Sequence, residues 1–371
     1  MSDTYEQPRR LLAVTLGLAL ALMIGWLLSI GRGLLMPIVI AVLAVYIITS
    51  ASAAMSEFRL TRWMPSVVRK LFLLLVFTLI LAAFNGVVIV TVRDLLAQAP
   101  AYQANLELMV ERGMRALGIE GNPDWQTIQA MTIGRIDMQQ VLGGIAGSVG
   151  ALAGIFILIV VYAVFLFAEV AGFSHKLSVA MPDRLQADRT MALIRSINDR
   201  IGEYLAIKTL INVIIGIVSY PILWAFGVDH ALFWALLIAV LNYIPYFGSL
   251  IAVTFPVLMS VVQFGALGYS LVLLALLTTA QLFVGNWLEP RMIGRKVNMS
   301  PFVVVVALSF WTSFWGIPGA VLAVPLTSML AIILAAFDQT RPFAVLLAQD
   351  VSEFERDRRI ALTAPSGTAG P

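Results

Sequence analysis

Residues 231–288 read ALFWALLIAVLNYIPYFGSLIAVTFPVLMSVVQFGALGYSLVLLALLTTAQLFVGNWL, 58 residues without one Asp, Glu, Lys, Arg or His. About 20 apolar residues already suffice to cross the hydrocarbon core of a bilayer as a helix. Any one apolar run could be a buried soluble helix, so the number of such runs along the chain decides. The run is broken by Ile244-Pro-Tyr-Phe-Gly248. Proline there removes a backbone donor and ends a helix.

Working outward, the same count finds six more uncharged runs: Leu11–Ile30, Gly33–Ser56, Leu71–Val92, Val141–Ala168, Thr209–Val228 and Val297–Phe337. Hydrophobic residues make up 60% of the 371 and charged residues 12%, against roughly 45–50% and 25% in soluble domains. Lipid offers the backbone no partners, so spans of this kind are helices. Alternating barrel strands do not fit, because both faces would be apolar. The first run follows Arg9 and Arg10 and has 20 apolar residues with no clear cleavage site, which favours an uncleaved span over a signal peptide.

Basic residues orient the chain. Nineteen of the 24 lie at the N-terminus, in the loops after the second, fourth and sixth spans, and in the tail. Placing them inside puts both termini in the cytoplasm. Parity then constrains the long runs. Residues 231–264 must leave and return on the outer side, and 299–337, centred on Gly316-Ile-Pro-Gly319, on the inner side. We read each as a helical hairpin that re-enters the bilayer, the alternative being a pair of kinked full spans. The expected fold is an all-α polytopic membrane protein, with six full transmembrane helices, two helical hairpins and a small soluble helical insert. The divisions are 1–92, three spans; 93–140, an outer helical insert; and 141–228, two spans joined by a cytoplasmic amphipathic helix. Residues 229–340 form a core with two broken hairpins, and 341–371 a cytoplasmic tail expected to be disordered. Gly143, Gly147, Gly150 and Gly154 give two GxxxG spacings, suited to helix packing within or between subunits.

Much chemistry is excluded. There is no cysteine, hence no disulfide or thiolate ligand. No Walker-type glycine loop occurs, and the two histidines, His175 and His230, lie outside the apolar runs. No enzyme, cofactor or metal is expected. Net charge is only +3 and the basic residues are spread over loops, so no nucleic acid is implied.

Polar residues inside or beside the last spans are candidates for a solute path. They are Asn242, Pro245, Tyr246 and Gly248 at the first break, and Gln281 and Asn286 on the following span. Glu289 and Arg291 close that span, and Gly316, Pro318 and Gly319 form the second break. Asn and Gln serve equally as interhelical hydrogen-bonding residues, and Glu289 with Arg291 equally as an interfacial ion pair. The breaks are expected to free backbone groups for a ligand and to share one cavity. Leucine at Gly248 or Gly319 would then block the path without preventing assembly.

Four blocks carry a resemblance: Asn242-Tyr-Ile-Pro-Tyr-Phe-Gly248, Gly285-Asn-Trp-Leu-Glu-Pro-Arg-Met-Ile-Gly294, Met299-Ser-Pro301 with its valine run, and Gly316-Ile-Pro-Gly319 through Ala323-Val-Pro-Leu326. In order and spacing the chain resembles the autoinducer-2 exporter family of bacterial permeases. Pro318 departs from the aliphatic residue many relatives have there. The resemblance implies a multi-pass permease of the bacterial inner membrane that exports a small polar solute, such as autoinducer-2, and assembles as a homo-oligomer, a pentamer among the options. Sodium/proton antiport, seen in some relatives, is the alternative and would need a carboxylate such as Glu169 or Glu289. A non-transporting membrane scaffold or regulator is the third reading.

Overall fold

The structure, a computed structural model, describes residues 3–59, 61–116, 138–181, 183–294 and 298–352. The described residues are helical with short connections. In order these are α1 (Asp3–Ile30), α2 (Arg32–Glu57), α3 (Ser66–Ala116), α4 (Met138–Ala180), α5 (Arg184–Ala225), α6 (Ala231–Leu241) and α7 (Phe247–Phe264). Next come α8 (Leu267–Phe283), α9 (Glu289–Ile293), α10 (Pro301–Ala335) and α11 (Arg341–Leu347). A single π-helical stretch, Val284–Leu288, joins α8 to α9 without a break. Among the described residues seven helices are long and apolar enough to cross a membrane. Many large side chains on them face outward, such as Leu79, Phe165, Trp224 and Leu271, as a lipid solvent permits.

Both broken runs fold back on themselves, a geometry common to re-entrant hairpins and to pairs of kinked full spans. In the first, α6 is 11 residues and α7 is 18, arms of about 16 and 27 Å. In the second, Gly316 interrupts α10 with φ 61° and ψ −140°. Trp311 Nε1 donates to Thr327 Oγ1 at 3.0 Å and Ser328 Oγ to Met299 Sδ at 3.2 Å. A straight helix would hold residues 299 and 328 about 43 Å apart, so the chain reverses at Gly316. We term α6–α7 hairpin 1 and α10 hairpin 2.

Two segments extend past the apolar spans. α3 continues to Ala116 as one helix of 51 residues; residues 117–137 of the expected insert lie outside the described residues. α5 runs unbroken for 42 residues, capped by the Asp183 side chain on the Leu185 N–H. The tail is corrected in its first part. Arg341–Leu347 is helical, Ala344 is buried, and Ser300 N donates to the Leu347 carbonyl. Asn298 fastens the end of this helix, accepting from the Gln349 and Asp350 N–H groups. A short apolar stretch with a side-chain anchor can fold where the charged composition suggested none. Residues 353–371 lie outside the described residues. So do the side-chain surroundings of Gly143, Gly147 and Gly150; a Cβ at Gly154 would meet nothing within 4 Å.

The largest apolar cluster joins α5, hairpin 1 and α8 through Ile211, Ile215, Leu223, Ile238, Leu277 and Val284. A second joins α2, α5 and hairpin 2, with Leu43, Ile201, Leu205 and Trp315 at its centre. α5 belongs to both, and it carries the buried polar residues Lys208, Asn212 and Ser219.

Candidate functional site

α5 carries Tyr204, Lys208 and Asn212 at intervals of four, one above another on a single face, with Thr209 beside them. Tyr204, Lys208 and Asn212 are all buried. Lys208 Nζ meets Glu289 Oε1 at 2.6 Å, the lysine side chain 5% exposed and the glutamate 27%. One turn further on, Asn242 Nδ2 donates to Asn212 Oδ1 at 3.0 Å. The hydroxyls of Thr209 and Tyr243 bond at 2.6 Å. A polar cluster thus gathers three parts of the chain: the middle of α5, the break of hairpin 1, and the helix end beyond the π-helical stretch. That stretch adds one residue per turn, a device frequent at functional sites, and immediately precedes Glu289.

The cluster is inside the bundle. A Cβ at Gly202 would lie 3.4 Å from the carbonyl oxygen of Tyr46, near the middle of α2. Lys208 is six residues beyond that crossing, about 9 Å further along α5. Charge counting alone sets Lys208 at the edge of the run Thr209–Val228, among the basic residues that follow the fourth span. A lysine at depth is costly unless paired, and Glu289 is the pair.

This corrects the expected Glu289–Arg291 bond. Residues two apart on a helix do not face each other. The guanidinium of Arg291 instead lies 3.8 Å from the centre of the Trp287 ring. Asn286 is on the exposed side of the same helix and takes no part in the cluster. Gln281 is 8% exposed, and its Nε2 has no hydrogen-bond partner. Its helix lines the facing apolar stripe with Leu277 and Val284. Glu169 pairs with Lys176 in an exposed position on α4, away from this cluster.

The breaks are built differently from the expectation. At the first, the N–H groups of Asn242, Tyr243, Ile244, Phe247 and Gly248 are all bonded within the turn, so they are not free for a ligand. Tyr246 takes φ 60° and ψ −57°, a strained geometry for a non-glycine residue, and is 60% exposed. A Cβ on Gly248 would collide with the carbonyl oxygen of Leu241, and one on Gly319 with that of Trp311. Both glycines let the second arm of a hairpin close on the first, and neither lines open space. Pro318 is half-buried beside Gly319, and Gly316 is exposed at the tip. The hairpins do meet: Ile244 packs in one cluster with Leu308, Ala320 and Ala323. That contact is apolar, and the polar groups of the break are on Asn242 and Tyr243, which bond to α5. Asn242 and Tyr243 are the residues that carry the break into the cluster.

Removing Asn242 tests how much the cluster holds. Asn242→Leu strips the Asn212 carbonyl of its donor in a buried setting, which should cost about 1–3 kcal/mol. A thermal unfolding midpoint in detergent equal to the parent's would show that the bond contributes nothing.

On the extension of α3 past its apolar part, the Tyr102 hydroxyl lies 2.8 Å from Gln98 Oε1 on its own helix and 3.1 Å from Asp229 Oδ2. Burial first, then the hydrogen bond to Asp229 and the charge of Asp229, push its phenol up to about 12. It stays a neutral donor at physiological pH.

A bundle of apolar helices with folded-back hairpins and one buried polar cluster defines a polytopic membrane protein. The model of the AI-2E family transporter matches residues 16–339, and the chain belongs to that family. It is 27% identical over 345 residues to a provisionally named transport protein of Haemophilus influenzae, covering 92% of this chain and 97% of that one. A similarly named protein of Borreliella burgdorferi is 35% identical over 204 residues, 55% of each chain. TqsA of Escherichia coli, named an AI-2 transport protein, is 35% identical over 198 residues, 53% of this chain and 56% of TqsA. These two alignments span little more than half of the relatives' length.

Proposed function

We propose that the chain is a secondary transporter of the bacterial inner membrane that exports a small polar solute, autoinducer-2 being the first to test. The observation that carries this is the bonded cluster of Lys208, Thr209, Asn212, Asn242, Tyr243 and Glu289, in which Lys208, Asn212 and Asn242 are buried and Thr209, Tyr243 and Glu289 partly so. Polar groups at membrane depth mark pathways by default. The hairpins are read as re-entrant, with hairpin 1 entering from outside and hairpin 2 from inside. Subunits assemble as a homo-oligomer. Sodium/proton antiport is the second reading, favoured by one observation: Glu289 is a partly exposed carboxylate bonded to a buried lysine.

Flux of labelled solute from proteoliposomes, with and without a sodium or proton gradient, separates the readings. Export requires saturable solute flux that Asn242→Leu lowers. Antiport requires cation-driven proton movement with no solute present. Neither signal from folded protein would overturn both.

Topology is checked separately. Thiol labelling from outside should reach cysteines placed at Asn122 and Asp229 and miss those at Ser66, Asp188 and Lys296. Outside labelling at 296 would overturn the assigned direction of hairpin 2.

A further inference from the structure

The outward continuation of α3 holds hairpin 1 by both of its outer ends. At its start the Tyr102 hydroxyl contacts Asp229 Oδ2. At its finish Asn105 Nδ2 donates to the Gln263 carbonyl oxygen at 2.8 Å. The two ends are also tied to each other. Gln263 Oε1 accepts from the Asp229 N–H, and Gln263 Nε2 donates to the Gly227 carbonyl, both at 2.9 Å. Beneath these bonds Leu95 and Tyr102 pack on the apolar cluster that contains Val228 and Trp234. Tyr102 and Asn105 are three apart and therefore share a face of α3. A rotation or tilt of α3 would part both bonds together.

We propose that this clasp is the outer latch of the transporter: it closes the outer mouth by gripping both ends of hairpin 1, and opening to the outside requires α3 to release them. The inference rests on the transport reading, since it takes hairpin 1 as a moving part. The strength of the clasp suits that role. Its bonds lie at the outer ends of the helices, where water can replace them, so each biases an equilibrium by roughly 2- to 10-fold. Such a bias holds a resting state and is still overcome by differential binding of a solute.

The chain has no cysteine, so introduced thiols report alone. In the first arm, Gln281→Cys is a buried reporter for a membrane-impermeant methanethiosulfonate applied to the outer face. Tyr102→Phe and Asn105→Ala, singly and together, should each speed its modification by roughly 2- to 10-fold, with unchanged size-exclusion profiles. In the second arm, Asn105→Cys with Gln263→Cys is bridged by a short reducible cross-linker. Solute flux should stop on bridging and return on reduction. Reporter rates that ignore the clasp variants, or full flux through bridged protein, would overturn the latch. Absence of flux before bridging would overturn the transport reading instead, and the first arm, which needs no solute, would still decide the latch.

Discussion

Exchanging Glu289 for glutamine should cost most of the folded yield, and exchanging Lys208 for methionine in the same molecule should return much of it. The single variant leaves an ammonium group unpaired inside the bundle, where its side chain is 5% exposed. Removing one member of a buried ion pair costs about 3–5 kcal/mol, whereas replacing both by apolar groups is often neutral. Glu289 is partly exposed, which moves the expectation to the lower end, about 3 kcal/mol. Thermal unfolding of purified protein in detergent measures it. A Glu289→Gln variant as stable as the parent would remove the pair from the energetics of the fold. The double variant answers the functional question as well. If the pair only joins α5 to α9, flux returns with the fold. If Glu289 carries a proton, the double variant folds and its transport no longer depends on pH.

Alanine at Gly248 or Gly319 should be nearly as damaging as leucine. The obstacle in each case is a backbone carbonyl of the opposing arm, met by the first carbon of any side chain. Flexible neighbours could move aside, but a helix backbone cannot without opening the hairpin. Overpacking of this kind costs about 1–3 kcal/mol. Gly285→Ala is the control, because a Cβ there meets nothing within 4 Å. Melting temperatures of the three alanine variants should split two against one. Assembly and flux should fall together in Gly248→Ala and Gly319→Ala. Normal assembly with blocked flux would instead favour a tip that lines an open path.

The spans were legible because lipid imposes one rule on every residue of a run, and counting uncharged residues applies that rule. The breaks were legible too, since each combines proline and glycine within four residues, Pro245 with Gly248 and Gly316 with Pro318 and Gly319, whereas lone prolines such as Pro37, Pro221 and Pro256 stay inside α2, α5 and α7. The ion pair was misread for two physical reasons. Charge counting treats any lysine as the edge of a span, so Thr209–Val228 stopped one residue short of Lys208. Proximity in sequence also suggested Arg291 for Glu289, although helical spacing forbids it. Tyr204, Lys208 and Asn212 did leave a signal, a polar repeat every fourth residue into an apolar run, and Thr209 lay beside it. Tyr243 left none, being one more aromatic in an apolar stretch. Nor did the π-helical stretch at Val284–Leu288, which depends on how neighbouring helices pack. The clasp was invisible for the same reason. Tyr102 and Asp229 are 127 positions apart.

The length of α3 has a mechanical consequence. Its 51 residues form one helix, a rod of about 76 Å. Asn105 stands 39 residues from Ser66, so a swing of about 5° about the Ser66 end carries it sideways by about 5 Å. That exceeds the reach of a hydrogen bond. A lever of this proportion turns a small change of inclination within the lipid into a displacement large enough to be felt at the far shore of the membrane.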